Sequence, residues 1–312
     1  CSPRRPSRFG RMRTLLTGAT GFVGSNIVKV LIDRHGDTVI DTRIDMTDRS
    51  AVLEHVGAAR PDAVIHCAIL NDWERMHADR QAAWNAYVEA TRNYADAAAS
   101  IGVPFCLVST DWVFDGTQGG ATEDTPPNPI NLYGFLKAAS EIVTLERGGA
   151  VARVMGVNGT HWARPTTLRA QDPGFGYFVA SLVDSLEQGV PFVVWEGDNI
   201  NGVASPSLGA MCGEVIRHIV AGGHVGIFHC CGSTSTTRRE LADAAVDVFG
   251  LDRSLLRFGP APAEAFAGQR IPFDTSVSAI ATSERLGTPL LSLDELLTTF
   301  RYERTHGKIA PM

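Results

Sequence analysis

The chain has 312 residues, an apolar share of 44% and a formal net charge of −6, ample for a packed core in one large or two interlocked domains. The acidic balance argues against a nucleic-acid or anionic-membrane partner, whose binding surface would be basic. No run of about 18 apolar residues occurs, so no membrane span is expected.

The basic cluster Arg4, Arg5, Arg8, Arg11 and Arg13 is mixed with Pro3 and Pro6, and no apolar core of signal-peptide length follows it. Residues 1–12 are therefore read as a disordered leader, with Met12 as a natural start. The six cysteines, Cys1, Cys67, Cys106, Cys212, Cys230 and Cys231, form no C-x-x-C pair. Buried free thiols in a reducing cytoplasm are the expectation. His161, His218, His224 and His229 have no ligand spacing, so no metal is assigned.

In chain order, residues 13–17 (RTLLT) read as a buried strand, followed by a glycine-rich turn and a helical apolar period over residues 24–34. Strands at 38–40, 63–66, 105–108 and 151–154 alternate with helices at 51–56, 81–101 and 132–147. Crossover connections of this kind imply a parallel sheet covered on both faces. The predicted class is α/β, a Rossmann-type doubly wound sheet over residues 13–156. Residues 157–312 are expected to form mainly a smaller substrate-binding lobe, with the chain returning to the sheet. Within them, helices are read at 178–188, 208–220 and 238–249, and strands at 192–195 and 226–229.

The stretch TGATGFVG places Gly18, Gly21 and Gly24 between a strand and a helix, the context in which such spacing marks a dinucleotide site. The first glycine permits the tight turn, the second the approach of a pyrophosphate, the third close packing of helix on strand. Thr20, Phe22 and Val23 complete the loop, and the helix N-terminus offers N–H groups to phosphate. Asp41 ends the second strand, where a carboxylate can hold an adenosine ribose; Arg43 could instead pair with a 2′-phosphate. The two signals oppose each other and leave NADH against NADPH open. Asp45 and Met46 follow and could line the adenine.

Ser109–Thr110–Asp111 ends the fourth strand, and Tyr133-x-x-x-Lys137 opens the next helix with both side chains on one face. A lysine beside a phenol stabilises phenolate and is expected to lower the Tyr133 pKa. Tyr133 could then exchange a proton at neutral pH while Thr110 polarises the same carbonyl oxygen.

Together TGATGFVG, DMTD (45–48), RPDAVIHCA (60–68), STDWVFDG (109–116) and NLYGFLKAASE (131–141) resemble the dTDP-4-dehydrorhamnose reductase family of extended short-chain dehydrogenases. The resemblance is dense over residues 13–141 and thin through 226–232. It implies reduction of the 4-keto group of a nucleotide-linked 6-deoxysugar by NAD(P)H, with Thr110, Tyr133 and Lys137 as the catalytic set. Tyr133 and Lys137 also border the cofactor. Ala68 and Ser109 match positions along the nicotinamide half, and Asn85 one that helps hold the lysine through water. Cys67 is placed beside the cofactor, although core filling is the plainer role for it and for His66.

The chain departs from the family pattern at Gly156, where a tryptophan is usual, and at Arg270–Asp274, which keeps only part of a late Arg-Pro motif. The sugar, and whether it is nucleotide-linked, stay open. Thr110–Asp111–Trp112 lacks the second acid of a dehydratase. Asp111, Trp112, Trp162 and Arg270 are substrate candidates. Arg164 and Arg169 join Arg270 as candidates to clamp a diphosphate, with solvated surface arginines as the plainer alternative. The expected partner is a small molecule, and a homodimer is the assembly considered. The rival to a reductase is a non-catalytic cofactor-binding subunit.

Overall fold

Strands apolar on both faces assemble into one six-stranded parallel sheet in this computed structural model, which describes residues 10–70, 72–266 and 268–311. Of the expected leader, residues 1–9 lie outside the described residues. The Met12 amide donates to Asp37 Oδ1 at 2.8 Å and Arg217 Nη2 to the Gly10 carbonyl at 2.9 Å.

The first half runs β1 (Arg13–Thr17), α1 (Phe22–Asp33), β2 (Thr38–Asp41), α2 (Arg49–Ala59), β3 (Ala63–His66), α3 (Trp73–Ala78), α4 (Arg80–Trp84), α5 (Ala90–Ser100), β4 (Phe105–Thr110), α6 (Leu132–Glu146) and β5 (Ala150–Val154). The second half continues with β6 (Val157–Asn158), α7 (Phe178–Glu187), β7 (Phe192–Glu196), β8 (Val203–Ala204), β9 (Ser207–Leu208), α8 (Gly209–Ala221), β10 (Gly226–Cys230), β11 (Thr236–Thr237), α9 (Arg238–Phe249), β12 (Leu256–Pro260), α10 (Ile280–Leu286) and α11 (Leu293–His306).

Strand order is β2-β1-β3-β4-β5-β10. Side chains alternate across the sheet. Leu16, Ile65 and Val108 pack on the side of α1 and α8, where Ile27, Leu31, Ile216 and Val220 meet them. Leu15, Val64 and Leu107 pack against Val52 and Val56 of α2 and Tyr94 and Ala98 of α5. Each fully buried side chain of this size contributes roughly 1.5–3 kcal/mol. The chain leaves β1 toward one edge through β2 and returns to the other side as β3, so the carboxyl ends of β1 and β3 flank the topological switch point, where such sheets bind ligands.

A separate core joins α7, α9 and α11 through Phe178, Leu182, Leu241, Leu297 and Phe300, beside the parallel pair β7 and β12. The long helix expected over 81–101 is three pieces, because a π turn over Asn85–Glu89 separates α4 from α5. Helix α11 went unread because charge outweighs its apolar stripe. It is nonetheless signed by a capping box, in which Ser292 and Glu295 satisfy each other's main-chain N–H groups.

Candidate active site

A cavity of about 700 Å³ opens at the carboxyl edge of the sheet, running from the glycine loop to the strand end Ser109–Trp112 and under residues 154–177. Its floor is set by the first turn. Gly18 has φ +73°, and a Cβ there would lie 2.8 Å from the Ala68 amide nitrogen; one on Gly24 would lie 2.0 Å from the Gly18 carbonyl. Both glycines are therefore demanded by the backbone itself. Gly21 differs. A Cβ there meets only the Gly18 oxygen, at 3.3 Å, and otherwise projects into free space, a cradle that a phosphate can fill. Gly21 is the N-cap of α1, which has no capping side chain and no acid in its first turn, so its N-terminal dipole is available to an anion. We expect Gly21→Val to fold normally and to lose at least tenfold in nicotinamide-dinucleotide affinity by calorimetry. Unchanged affinity would remove the loop from the binding site.

The loop is tied to the turn after β3 by one hydroxyl. Thr17 Oγ1 accepts from the amides of Cys67 and Ala68, each at 3.1 Å, and lies 2.8 Å from His66 Nδ1. Burial drops the His66 pKa to about 3, so the imidazole is neutral and Nδ1 accepts the Thr17 proton. His66 is thus a structural residue. Cys67 and Ala68 both line the cavity, and burial pushes the Cys67 thiol up to about 11, which makes it a poor nucleophile.

Thr110, Asp111, Trp112, Tyr133 and Lys137 meet on the far wall. Asn131 caps α6 by accepting from the Gly134 amide at 2.9 Å, and Gly134 lets the helix pass the Trp112 carbonyl, which a Cβ would approach to 2.1 Å. That contact sets Tyr133 beside the β4 strand end. Its ring is boxed edge-on by Trp73, Tyr87 and Trp112, with centroids at 5.7, 6.1 and 6.1 Å. Lys137 Nζ donates to the Val108 carbonyl at 2.8 Å and lies 5.7 Å from the Tyr87 ring centroid.

The expected lowering of the Tyr133 pKa is not what this arrangement produces. Burial pushes the phenol well up, opposed chiefly by the Thr110 hydroxyl. Burial also lowers Lys137 to about 8. Desolvation of the phenol dominates. Tyr133 therefore enters as a neutral phenol, the form a proton donor requires.

Asp111 is buried, receives Thr275 Oγ1 at 2.5 Å and Thr110 Oγ1 at 3.1 Å, and is raised to about 6 by burial. Thr275, on the chain between β12 and α10, brings the late segment to the site. Ser109 lines the cavity, but its hydroxyl donates inward to Glu141 Oε1 at 2.6 Å.

Several sequence candidates lie elsewhere. Asp41 and Arg43 pair with each other at 3.6 Å on the exposed end of β2. Asp45 is held in its own turn by the Thr47 amide and hydroxyl at 2.9 and 2.7 Å. Met46 packs beside the α2–α5 core. None of these four lines the cavity. Trp162 donates to Asn26 Oδ1 at 3.1 Å and packs against the lobe core, which makes it a tether to α1. Arg270 lies in a neighbouring groove with His77, Arg80 and Asn131. Asn85 receives Gln81 Nε2 at 2.9 Å, and the side chain found beside Lys137 is instead Tyr87.

The sequence reading missed Tyr87, Trp73, Asp172, Tyr177 and Gln269, all on the cavity wall. Trp73 and Tyr87 sit in the segment after β3, far in sequence from both the glycine loop and the Tyr133 helix, and Asp172, Tyr177 and Gln269 sit in irregular chain, so none carried a sequence signal. Among the described residues no cluster of three His, Cys, Asp or Glu could hold a metal ion, and no helix is long and apolar enough to cross a membrane.

The RmlD substrate binding domain family matches residues 12–298. Methionine adenosyltransferase 2 subunit beta of Mus musculus is 30% identical over 267 residues, covering 81% of this chain and 75% of its own. The dTDP-4-dehydrorhamnose reductase of Streptomyces griseus is 29% identical over 262 residues, covering 80% of this chain and 81% of its own. A crystal structure described as a hypothetical dTDP-4-dehydrorhamnose reductase from Sulfolobus tokodaii is 25% identical with a TM-score of 0.74, over 91% of this chain and 99% of that chain. With the match spanning the sheet, the glycine loop, the Tyr133 helix and most of the lobe, the chain belongs to the RmlD substrate binding domain family.

Proposed function

We propose that the protein reduces a keto group on a nucleotide-linked deoxysugar with NAD(P)H, Tyr133 serving as proton donor. The observation that carries this reading is the convergence of Thr110, Tyr133 and Lys137 on the wall of one cavity whose other end is the glycine loop. The cradle at Gly21 and the uncapped α1 N-terminus fit a dinucleotide diphosphate, with Ala68 and the Ser109 main chain along the path toward Tyr133. A bound reduced nicotinamide supplies hydride to the substrate carbonyl carbon.

The chain's own residues handle the charge that results. Negative charge develops on the carbonyl oxygen, where Thr110 can polarise it once its hydroxyl turns from Asp111, to which it donates at 3.1 Å, and Tyr133 Oη can deliver a proton. The phenolate left on Tyr133 is stabilised by Lys137, whose ammonium is one helical turn away. Trp73, Tyr87 and Trp112 exclude water from the phenol, so the proton must come from a placed side chain. Asp111 is held by two threonine hydroxyls and orients Thr110.

Steady-state NAD(P)H oxidation over a panel of nucleotide-linked keto-sugars tests the reading. Turnover of one of them supports it, and binding without any turnover contradicts it. A second reading, a cofactor-binding subunit of a larger assembly, is favoured by the relative named as a beta subunit.

The cofactor's 2′ position gives a further prediction. Because Asp41 and Arg43 pair on the exposed β2 end, Asp41→Ala should free the guanidinium and shift catalytic efficiency toward NADPH. Arg43→Ala should shift it toward NADH. The effects should be a few-fold, as for exposed charge pairs. A ratio that neither variant moves would place the ribose elsewhere.

A further inference from the structure

A cation with no ion-pair partner among the described residues lines the same cavity as the glycine loop. Arg169 Nε and Nη2 are buried and have no hydrogen-bond partner among the described residues. The guanidinium lies 5.0 Å from the Tyr177 ring centroid. Tyr177 takes the left-handed backbone conformation at φ +55°, rare for a residue with a side chain, and its ring rests on Phe22 at 4.6 Å. Phe22 is the first residue of α1, immediately after Gly21. On the same side the His161 ring lies 5.8 Å from Phe22, with its Nδ1 buried and unpartnered. Arg164 lines the same cavity.

This loop is stapled to α1 by Asn26. Its Nδ2 donates to the Thr160 carbonyl at 2.9 Å and to the Phe22 carbonyl at 3.0 Å, and its Oδ1 receives Trp162 Nε1 at 3.1 Å. The carboxylate on the same cavity wall, Asp172, lies near Arg238, Gly174 and Gly176, and its Oδ1 has no hydrogen-bond partner among the described residues.

Buried guanidinium N–H groups are costly unless an acceptor meets them. The chain supplies a cation–π contact, which is a partial compensation, and Arg169 lines the same cavity as the α1 N-terminus. Unmet donors on one wall and an uncapped helix N-terminus on another are together satisfied by an anion.

We propose that Arg169, with Arg164 and His161, closes over a diphosphate seated on the α1 N-terminus, so that residues 160–177 clamp the group from the side opposite the glycine loop. The inference rests on the dinucleotide reading of that loop. A diphosphate here can come from the dinucleotide or from a nucleotide-linked substrate, and the two sources are separated by probe.

The test is calorimetry with NADPH and with dTDP on the wild-type chain, Arg169→Gln, Arg164→Gln and Gly21→Val, together with melting temperatures. Arg169→Gln should weaken NADPH about 10- to 100-fold, the worth of charge-assisted hydrogen bonds, with a smaller loss for Arg164→Gln. Without ligand, Arg169→Gln should melt at the wild-type temperature or higher, because two unmet buried N–H groups are gone; a purely structural arginine would move it down. Loss confined to dTDP would keep the clamp and assign it to the substrate. Unchanged affinity for both probes in Arg169→Gln would overturn the clamp while Gly21→Val still reports on the glycine loop. A wild-type chain that binds neither probe would overturn both.

Discussion

Tyr133→Phe should lose on the order of 10²–10⁴ in turnover while keeping its fold and nearly all of its cofactor affinity, the range expected when a general acid is removed. Only the hydroxyl leaves. The phenylalanine ring can keep all three edge-on contacts with Trp73, Tyr87 and Trp112, so the packing is unchanged. The proton has no ready substitute, since no histidine lies between Ser109 and Lys137 and Thr110 already donates to Asp111 at 3.1 Å.

Lys137 adds a pH dependence to this prediction. In the proposed mechanism its ammonium stabilises the phenolate left after transfer, and burial lowers its pKa to about 8. The charge is present below that pH and lost above it, so kcat/KM should fall on an alkaline limb near pH 8. Lys137→Met should lose comparable turnover and the limb with it. A Tyr133→Phe enzyme retaining most of its turnover, with normal circular dichroism, would remove Tyr133 from the chemistry and favour the subunit reading.

Arg153→Met should destabilise the fold by about 3–5 kcal/mol, the usual cost of leaving one member of a buried ion pair unpartnered. Arg153 and Glu141 are among the least exposed charged side chains, at 0% and 2%. They meet through two bonds, Nε to Oε1 at 3.0 Å and Nη2 to Oε2 at 2.7 Å. Arg153 is the register partner of Ser109 across β4 and β5, and Ser109 donates to the same carboxylate. Glu141 lies one turn beyond Lys137 on α6. The pair thus fixes the strand end that carries Thr110 to the helix that carries Tyr133 and Lys137. Replacing both partners with apolar residues should recover much of the loss, because the uncompensated charge disappears. Denaturant unfolding of the single and double variants measures this. A single variant within about 1 kcal/mol of wild type would show the pair to be dispensable.

The N-terminal half was legible because backbone constraints fix its signals. Gly18 and Gly24 are required by contacts of 2.8 and 2.0 Å that any side chain would violate, and the β3 and β4 segments are apolar because both sheet faces are covered. Thr110, Tyr133 and Lys137 were readable for the same reason: a strand end and a helix face place them by geometry alone. The lobe was harder. Its site residues, such as Asp172 and Tyr177, occupy a loop with no period, and their placement depends on Asn26, more than a hundred positions earlier. Trp162 bonds Asn26 and packs on the lobe core, and an aromatic in such a loop gives no hint in sequence whether it faces a cavity or a helix. The pKa of Tyr133 went the other way from expectation because spacing shows a lysine's nearness and not the burial of the phenol.

Hydride transfer to the substrate carbonyl is the step that separates a reductase from a cofactor-binding subunit. Incubating the protein with nicotinamide cofactor deuterated at the reactive carbon and a nucleotide-linked 4-keto-6-deoxysugar, then reading the product by mass spectrometry, tests it directly. One deuterium is expected on the new carbinol carbon in the wild-type product, and almost none formed in the same time by Tyr133→Phe. Tight cofactor binding with no label reaching any keto-sugar of the panel would contradict it.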